Sequence, residues 1–313
     1  MKTKILIGSA LMLLLFACAS GSVFAYDVND TATAQSTISN ATSNSVVSFD
    51  PNGNYSGFTV NVPSTAQNLT LNGNGATVSG DGINHIFVIN NAVGFSLYNF
   101  NIIANSQNGI RGNNTVGFTM SNCTISDGSA GVNLFGASSG FTIVGNTITN
   151  MTVGNGNGIS LVHHSTLSNL SSLSPSTIAN NTISDVNYGM FIGGNFLGTI
   201  DNNDITDASI AGIQFAGKMA STNGKVNVTI SNNFINSTGI GLDLLTPNFL
   251  YLNLNSNDAI QGDTSCVEIG PLATFNQLLV NNNEFFGDEG DLGDLADSSE
   301  EWDNNFLNGI EYS

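Results

Sequence analysis

One short pattern of apolar and polar positions recurs along the chain: apolar, any residue, Asn or Gly, Asn, any residue, apolar. With local departures it is read in "LNGNGA" from residue 71, "LYNFNI" from 97, "MSNCTI" from 120, "IVGNTI" from 143 and "IANNTI" from 178. It continues in "IDNNDI" from 200, "ISNNFI" from 230, "LNSNDA" from 254, "VNNNEF" from 280 and "WDNNFL" from 302. The fourth position falls at 74, 100, 123, 146, 181, 203, 233, 257, 283 and 305, so seven of the nine spacings lie between 22 and 26 residues. A second phrase follows in most units, as in "GISL" (158), "GMFI" (189), "GIQF" (212) and "GLDL" (241), and its alternation sends every second side chain inward. Each unit therefore predicts three short strands. A unit of that size closes neither a sheet nor a core alone and must stack on its neighbours, which makes the strands parallel.

Asparagine suits the bend between strands because it tolerates left-handed backbone and because its amide bonds to the backbone or to the amide one coil away. The flanking isoleucines fill the interior. Charged residues make up only 9% of the chain, which leaves little for salt-bridged helices and agrees with an all-β reading.

The Asn-containing bends, the 22-to-26 spacing and the "GIxL" phrase resemble right-handed parallel β-helix proteins of the pectate-lyase superfamily. The resemblance implies an all-β, right-handed parallel β-helix solenoid of about ten coils with a short N-terminal capping helix. In the opening "TAQSTISNATSNSVVSFDPNGNYSG" that helix is expected over about Ala32 to Thr42. The Asn-rich, lysine-poor character is similar to that of adhesin-like surface proteins of methanogenic archaea. The expected organisation is a signal peptide over 1–25, a cap with the first strands over 26–65, and repeats over 66–313.

The signal reading rests on Lys2 and Lys4, the apolar run from Ile5 to about Ala19, and "VFA" before Tyr26. Cleavage after Ala25 competes with lipidation at Cys18. Neither leaves a transmembrane span, and the protein is expected to be secreted or at the cell surface. Removing the leader leaves three basic residues, Arg111, Lys218 and Lys225, against 23 acidic ones. Such a balance excludes nucleic acid as a partner, since phosphate binding needs clustered basic residues. Cys123 and Cys266, about 24 Å apart by coil counting, are too distant for a disulfide.

In carbohydrate-active relatives, the outward residues of the "GIxL" strands line the substrate face. One per coil, they read Phe87, Arg111, Asn133, Ser160, Phe191, Gln214, Asp243, Glu268 and Glu311. Phe87 and Phe191 are candidate sugar-stacking platforms. Asp243 and Glu268 fall on adjacent coils, about 5 Å apart by rung spacing, a separation suited to a retaining glycosidase, with a solvated acidic edge the alternative. A lyase would need a base near the acids, and Arg111 lies about 24 Å from Asp243.

Two insertions, "SLVHHSTLSNLSSLSPS" and "AGKMASTNGKVN", hold His163, His164, Lys218 and Lys225, candidate contacts for an anionic ligand. Asp127, Asn150, Asp185 and Asp207 recur at equivalent positions. They read as turn caps, with calcium at Asp185 and Asp207 the alternative and no cofactor otherwise. The functional expectation is a noncatalytic, adhesin-like protein that binds an extracellular glycan or cell-surface component. The alternative is a polysaccharide-active hydrolase or lyase.

Overall fold

The computed structural model describes residues 24–164, 170–216, 224–245 and 247–312. Residues 1–23 of the proposed leader, and Lys218, lie outside these. The chain winds into a parallel solenoid of about 11 turns. Ten follow from the repeat, and Val46–Ser56 adds a coil by pairing with Thr70–Asn72 and Thr77–Ser79.

Three faces stack, each with its own interior column. On the first, Leu71, Leu97, Met120, Ile143, Ile178, Ile200, Ile230, Leu254 and Val280 sit in register, all fully buried. On the second, Ile125, Ile148, Ile183, Ile205, Ile235 and Ile260 do the same. The third carries Ile110, Val132, Ile159, Met190, Ile213, Leu242 and Val267. Period-two alternation thus becomes the wall of one continuous core.

The N-terminal end is closed by the helix Thr31–Ser39, slightly earlier than the sequence places it. Asp30 accepts from the Thr33 N–H at 2.8 Å as its N-cap, and Ala34 and Ile38 are buried against the first coil. The first coils are packed with aromatic rings: Phe49, Phe58, Phe87 and Phe100 lie within 4.8 to 6.0 Å of one another along an edge-to-face chain.

The two asparagines of the bend divide the work. The first turns the chain: Asn99, Asn122, Asn180, Asn202, Asn232, Asn282 and Asn304 have φ between 51° and 59°. The second points inward and forms a buried ladder, Asn146, Asn181, Asn203, Asn233, Asn257, Asn283 and Asn305, joined by Nδ2–H···Oδ1 bonds of 2.7 to 3.0 Å. Each Oδ1 also accepts from the backbone N–H of the equivalent residue one coil earlier, beginning with Cys123. Each Nδ2 also donates to a strand carbonyl of that coil, as from Asn203 to Ile178. No buried amide in the run is left unsatisfied, which is what makes a polar column tolerable inside a core.

The second corner is turned by Asp127, Asn150, Asp185 and Asp207, with φ of 52° to 62°. Asp185 and Asp207 are exposed there. Cys123 and Cys266 are free and buried, and burial pushes both thiols up to about 12.

The glycine of "GIxL" is required by close approach. A Cβ on Gly158 would meet Ile183 Cγ2 at 2.5 Å and the Gly189 carbonyl at 2.6 Å, and Gly131, Gly189 and Gly212 face the same neighbours in their own coils. Gly158→Ala is expected to lower unfolding stability by about 1–3 kcal/mol through overpacking, read by urea titration. An unchanged midpoint would mean that adjacent coils spread without cost.

Candidate functional site

The outward column of the third face is set by register. Val88, Arg111, Asn133, Ser160, Phe191, Gln214, Asp243 and Glu268 are paired rung by rung. Its first member is Val88 and not Phe87. The strand there is offset by one residue, so Phe87 points inward, fully buried, with its ring 5.3 Å from Phe58 and 5.6 Å from Phe100. Phe87 is part of the core and is not a sugar platform. Glu311 also leaves the column, because Ile310–Glu311 folds back antiparallel on Phe306–Leu307.

Phe191 does face outward, half-buried, with Tyr188 edge-on at 5.8 Å. Below it the column becomes acidic and dry. Gln214 and Asp243 are 6% and 2% exposed, and Gln214 Nε2 donates to Asp243 Oδ2 at 2.6 Å. Asp243 Oδ1 is buried with no hydrogen-bond partner. Burial, and then the charge of neighbouring Glu268, push the Asp243 carboxyl up to about 6, against the opposing Gln214 hydrogen bond. Glu268 is oriented by Ser265, whose hydroxyl donates to Oε1 at 3.1 Å.

A third carboxylate joins them. Val267 bridges to Gly290, which places Asp291 one rung beyond Glu268, and Asp291 Oδ2 accepts from the Ile269 N–H at 2.7 Å. The sequence reading left Asp291 in a solvated acidic run; its signal was the 23-residue step from Glu268, one coil period. An acidic cleft of about 690 Å³ adjoins, between 269–275 and the helix Leu292–Ser298, with Asp294 and Asp297 on its wall. Two carboxylates thus stand in neighbouring rungs, Asp243 buried with its carboxyl raised to about 6 and Glu268 half-buried beside it, an arrangement of the kind that acid and base chemistry uses.

The other candidates are elsewhere. His163 is not an insertion-loop ligand: it ends the strand Asn157–His163, is 5% exposed, and its Nδ1 lies 3.2 Å from Asn195 Nδ2. His164 beside it is exposed. Lys225 opens the strand Lys225–Ser231, and its N–H donates to Asn195 Oδ1 at 3.0 Å. The bases of the two insertions therefore meet at Asn195. Among the described residues, no cluster of three or more His, Cys, Asp or Glu side chains is arranged to hold a metal ion. Arg111 stands five rungs from Asp243, too far to share a sugar ring with it.

Comparison with solved structures finds the tailspike protein of E. coli bacteriophage HK620 in complex with pentasaccharide, at 10% identity and a TM-score of 0.57, over 92% of this chain and 59% of that one. A double mutant of that tailspike, altered at an aspartate and a glutamate and also bound to pentasaccharide, matches at 9% identity and 0.55, over 94% and 58%. The chain thus spans about 58% of the tailspike's length. No curated protein matches. The expectation of a protein without catalysis is corrected here. The fold is shared with oligosaccharide-binding tailspikes studied through acidic-residue mutants, and the chain's own Asp243 and Glu268 are brought into register, with the Asp243 carboxyl raised to about 6. Among the described residues, no helix is long and apolar enough to cross a membrane. Residues 58–235 match the right-handed β-helix region family, and the chain belongs to it.

Proposed function

We propose that this is an exported, polysaccharide-active β-helix protein that binds an extracellular glycan along the third face and hydrolyses it at Asp243 and Glu268. The observation that carries the reading is Asp243: a nearly fully buried carboxyl, raised to about 6, in register with a second carboxylate. A structural acid at a corner is exposed and hydrogen-bonded; this one has an oxygen with no partner.

In the proposed reaction, protonated Asp243 gives its proton to the glycosidic oxygen as the C1–O bond breaks. The Glu268 carboxylate bonds to C1 from the opposite side. Water, deprotonated by Asp243, then displaces Glu268 and restores both groups. Neighbouring rungs about 4.8 Å apart suit this retaining course, and the two carboxylates need no cofactor for it. Half-buried Phe191 and Tyr188 supply an aromatic surface two rungs above Asp243 for sugar stacking.

The test is a reducing-end assay on a panel of neutral and acidic polysaccharides, using the mature protein and the Asp243→Ala/Glu268→Ala double variant. Turnover with retained anomeric configuration, lost in the variant, is expected. Turnover that survives in the variant, or none on any polymer to which the protein binds, would sink the proposal.

A further inference from the structure

Arg111 is the sole arginine of the chain. With 23 acidic residues against five basic ones, such a side chain would ordinarily be paired, yet among the described residues Arg111 makes no ion pair with a carboxylate. It is instead held half-buried over the Phe135 ring, with Cζ 4.8 Å from the centroid. A guanidinium fixed this way keeps its donor edge free and loses little rotamer freedom on binding.

His85 lies beside it. The Asn108 N–H donates to His85 Nδ1 at 3.2 Å, which leaves the ring proton on Nε2 as a second donor. Burial, and then the Arg111 charge, hold His85 below the ordinary imidazole range, so of the two it is Arg111 that carries the positive charge.

We propose that Arg111, braced on Phe135 beside His85, is an oxyanion-binding subsite on the same face as the carboxylate pair, accepting a carboxylate or similar oxyanion substituent of the bound glycan. Its position relative to the cleaved bond rests on the function proposed above; the anion site itself does not. The subsite is five rungs from Asp243, and a pyranose unit advances a chain by close to one rung, so it reads a sugar about five units from the reacting one.

Charge on the rest of the face limits what can bind. Glu268 and Asp291, with Asp294 and Asp297 in the adjoining cleft, would repel a polymer with an acid on every sugar. The glycan is therefore sparsely acidic: an anionic sugar at Arg111 and neutral sugars at the carboxylates.

A single arginine gives a single side-chain Nε–Hε resonance, so ¹⁵N NMR of the mature protein reports this site alone. Titration with sodium glucuronate is expected to give a saturable shift, while glucose, and sodium chloride at matched ionic strength, leave the resonance in place. An equal response to inorganic phosphate would show that any oxyanion suffices; a response to glucuronate alone would assign the site to a sugar carboxylate. Both outcomes support the subsite. No saturable shift with either anion overturns it. Phe135→Leu is expected to weaken glucuronate at least fivefold, and unchanged affinity would remove the ring from the proposal. Repeating the titration in Asp243→Asn/Glu268→Gln separates the two readings: a persisting shift keeps the subsite whether or not the protein cleaves a glycan.

Discussion

Asp243→Asn is expected to lower glycan hydrolysis by roughly a hundredfold to ten-thousandfold, the usual contribution of a positioned general acid, and at the same time to make the folded protein more stable at neutral pH. The two effects have one cause. Asp243 is almost completely buried, and its carboxyl titrates at about 6 instead of near 3.8. Between those values the folded state holds a proton that the unfolded chain has released, so stability falls as pH rises. The contribution is fully present below about pH 4 and is lost as pH rises through about 6. A displacement of this size corresponds to at most about 3 kcal/mol.

Asparagine keeps the Gln214 contact without a charge to desolvate, so the variant's stability should be flat across that window. Urea titrations from pH 4 to 8, set beside the pH profile of turnover, check this. A variant that tracks the wild type in both would show that Asp243 is neither proton donor nor buried charge.

The second large effect is structural. Asn203→Leu, in the middle of the amide ladder, is expected to cost on the order of 4 kcal/mol. It leaves the Asn181 N–H and Nδ2–H without their Asn203 Oδ1 acceptor, at 3.1 and 2.9 Å, and removes a donor from the Ile178 carbonyl and from Asn233 Oδ1. Leucine replaces the side chain's volume without replacing these bonds. Its exposed neighbour provides the contrast. Asn202→Ala loses one amide bond to Asn180 and places alanine at φ 51°, a cost of about 1–2 kcal/mol. Because each coil touches only its neighbours, the ladder break is also expected to split the unfolding transition. Equal losses at 202 and 203 would show that the inward amides contribute no more than the outward ones.

Arg111, Asp243 and Glu268 were placed on one face from the sequence because a parallel stack turns coil spacing into column membership. That logic failed where the period was irregular. Phe87 belongs to a two-residue strand in an early coil, and a one-residue offset moved it from the outer face into the core. The "SLVHH" stretch read as the start of an insertion, whereas its residues continue the strand to His163. Glu311 failed for a different reason, since the last coil folds back antiparallel.

The periodicity of Asn and Ile by itself determined the solenoid and its corners, because alternation and left-handed turns are local properties that repeat in every coil; the capping helix was implied by the family resemblance. The periodicity also put two carboxylates in adjacent rungs. It did not determine that Asp243 is dry and its carboxyl raised, that Gln214 holds one oxygen and leaves the other bare, that Asp291 stands next in the column, or that Arg111 is stacked and unpaired. Those properties depend on what packs against each side chain from other coils. Desolvation and charge proximity are set by three-dimensional neighbours, so only the tertiary structure decided which acidic residues of a very acidic chain are equipped for chemistry.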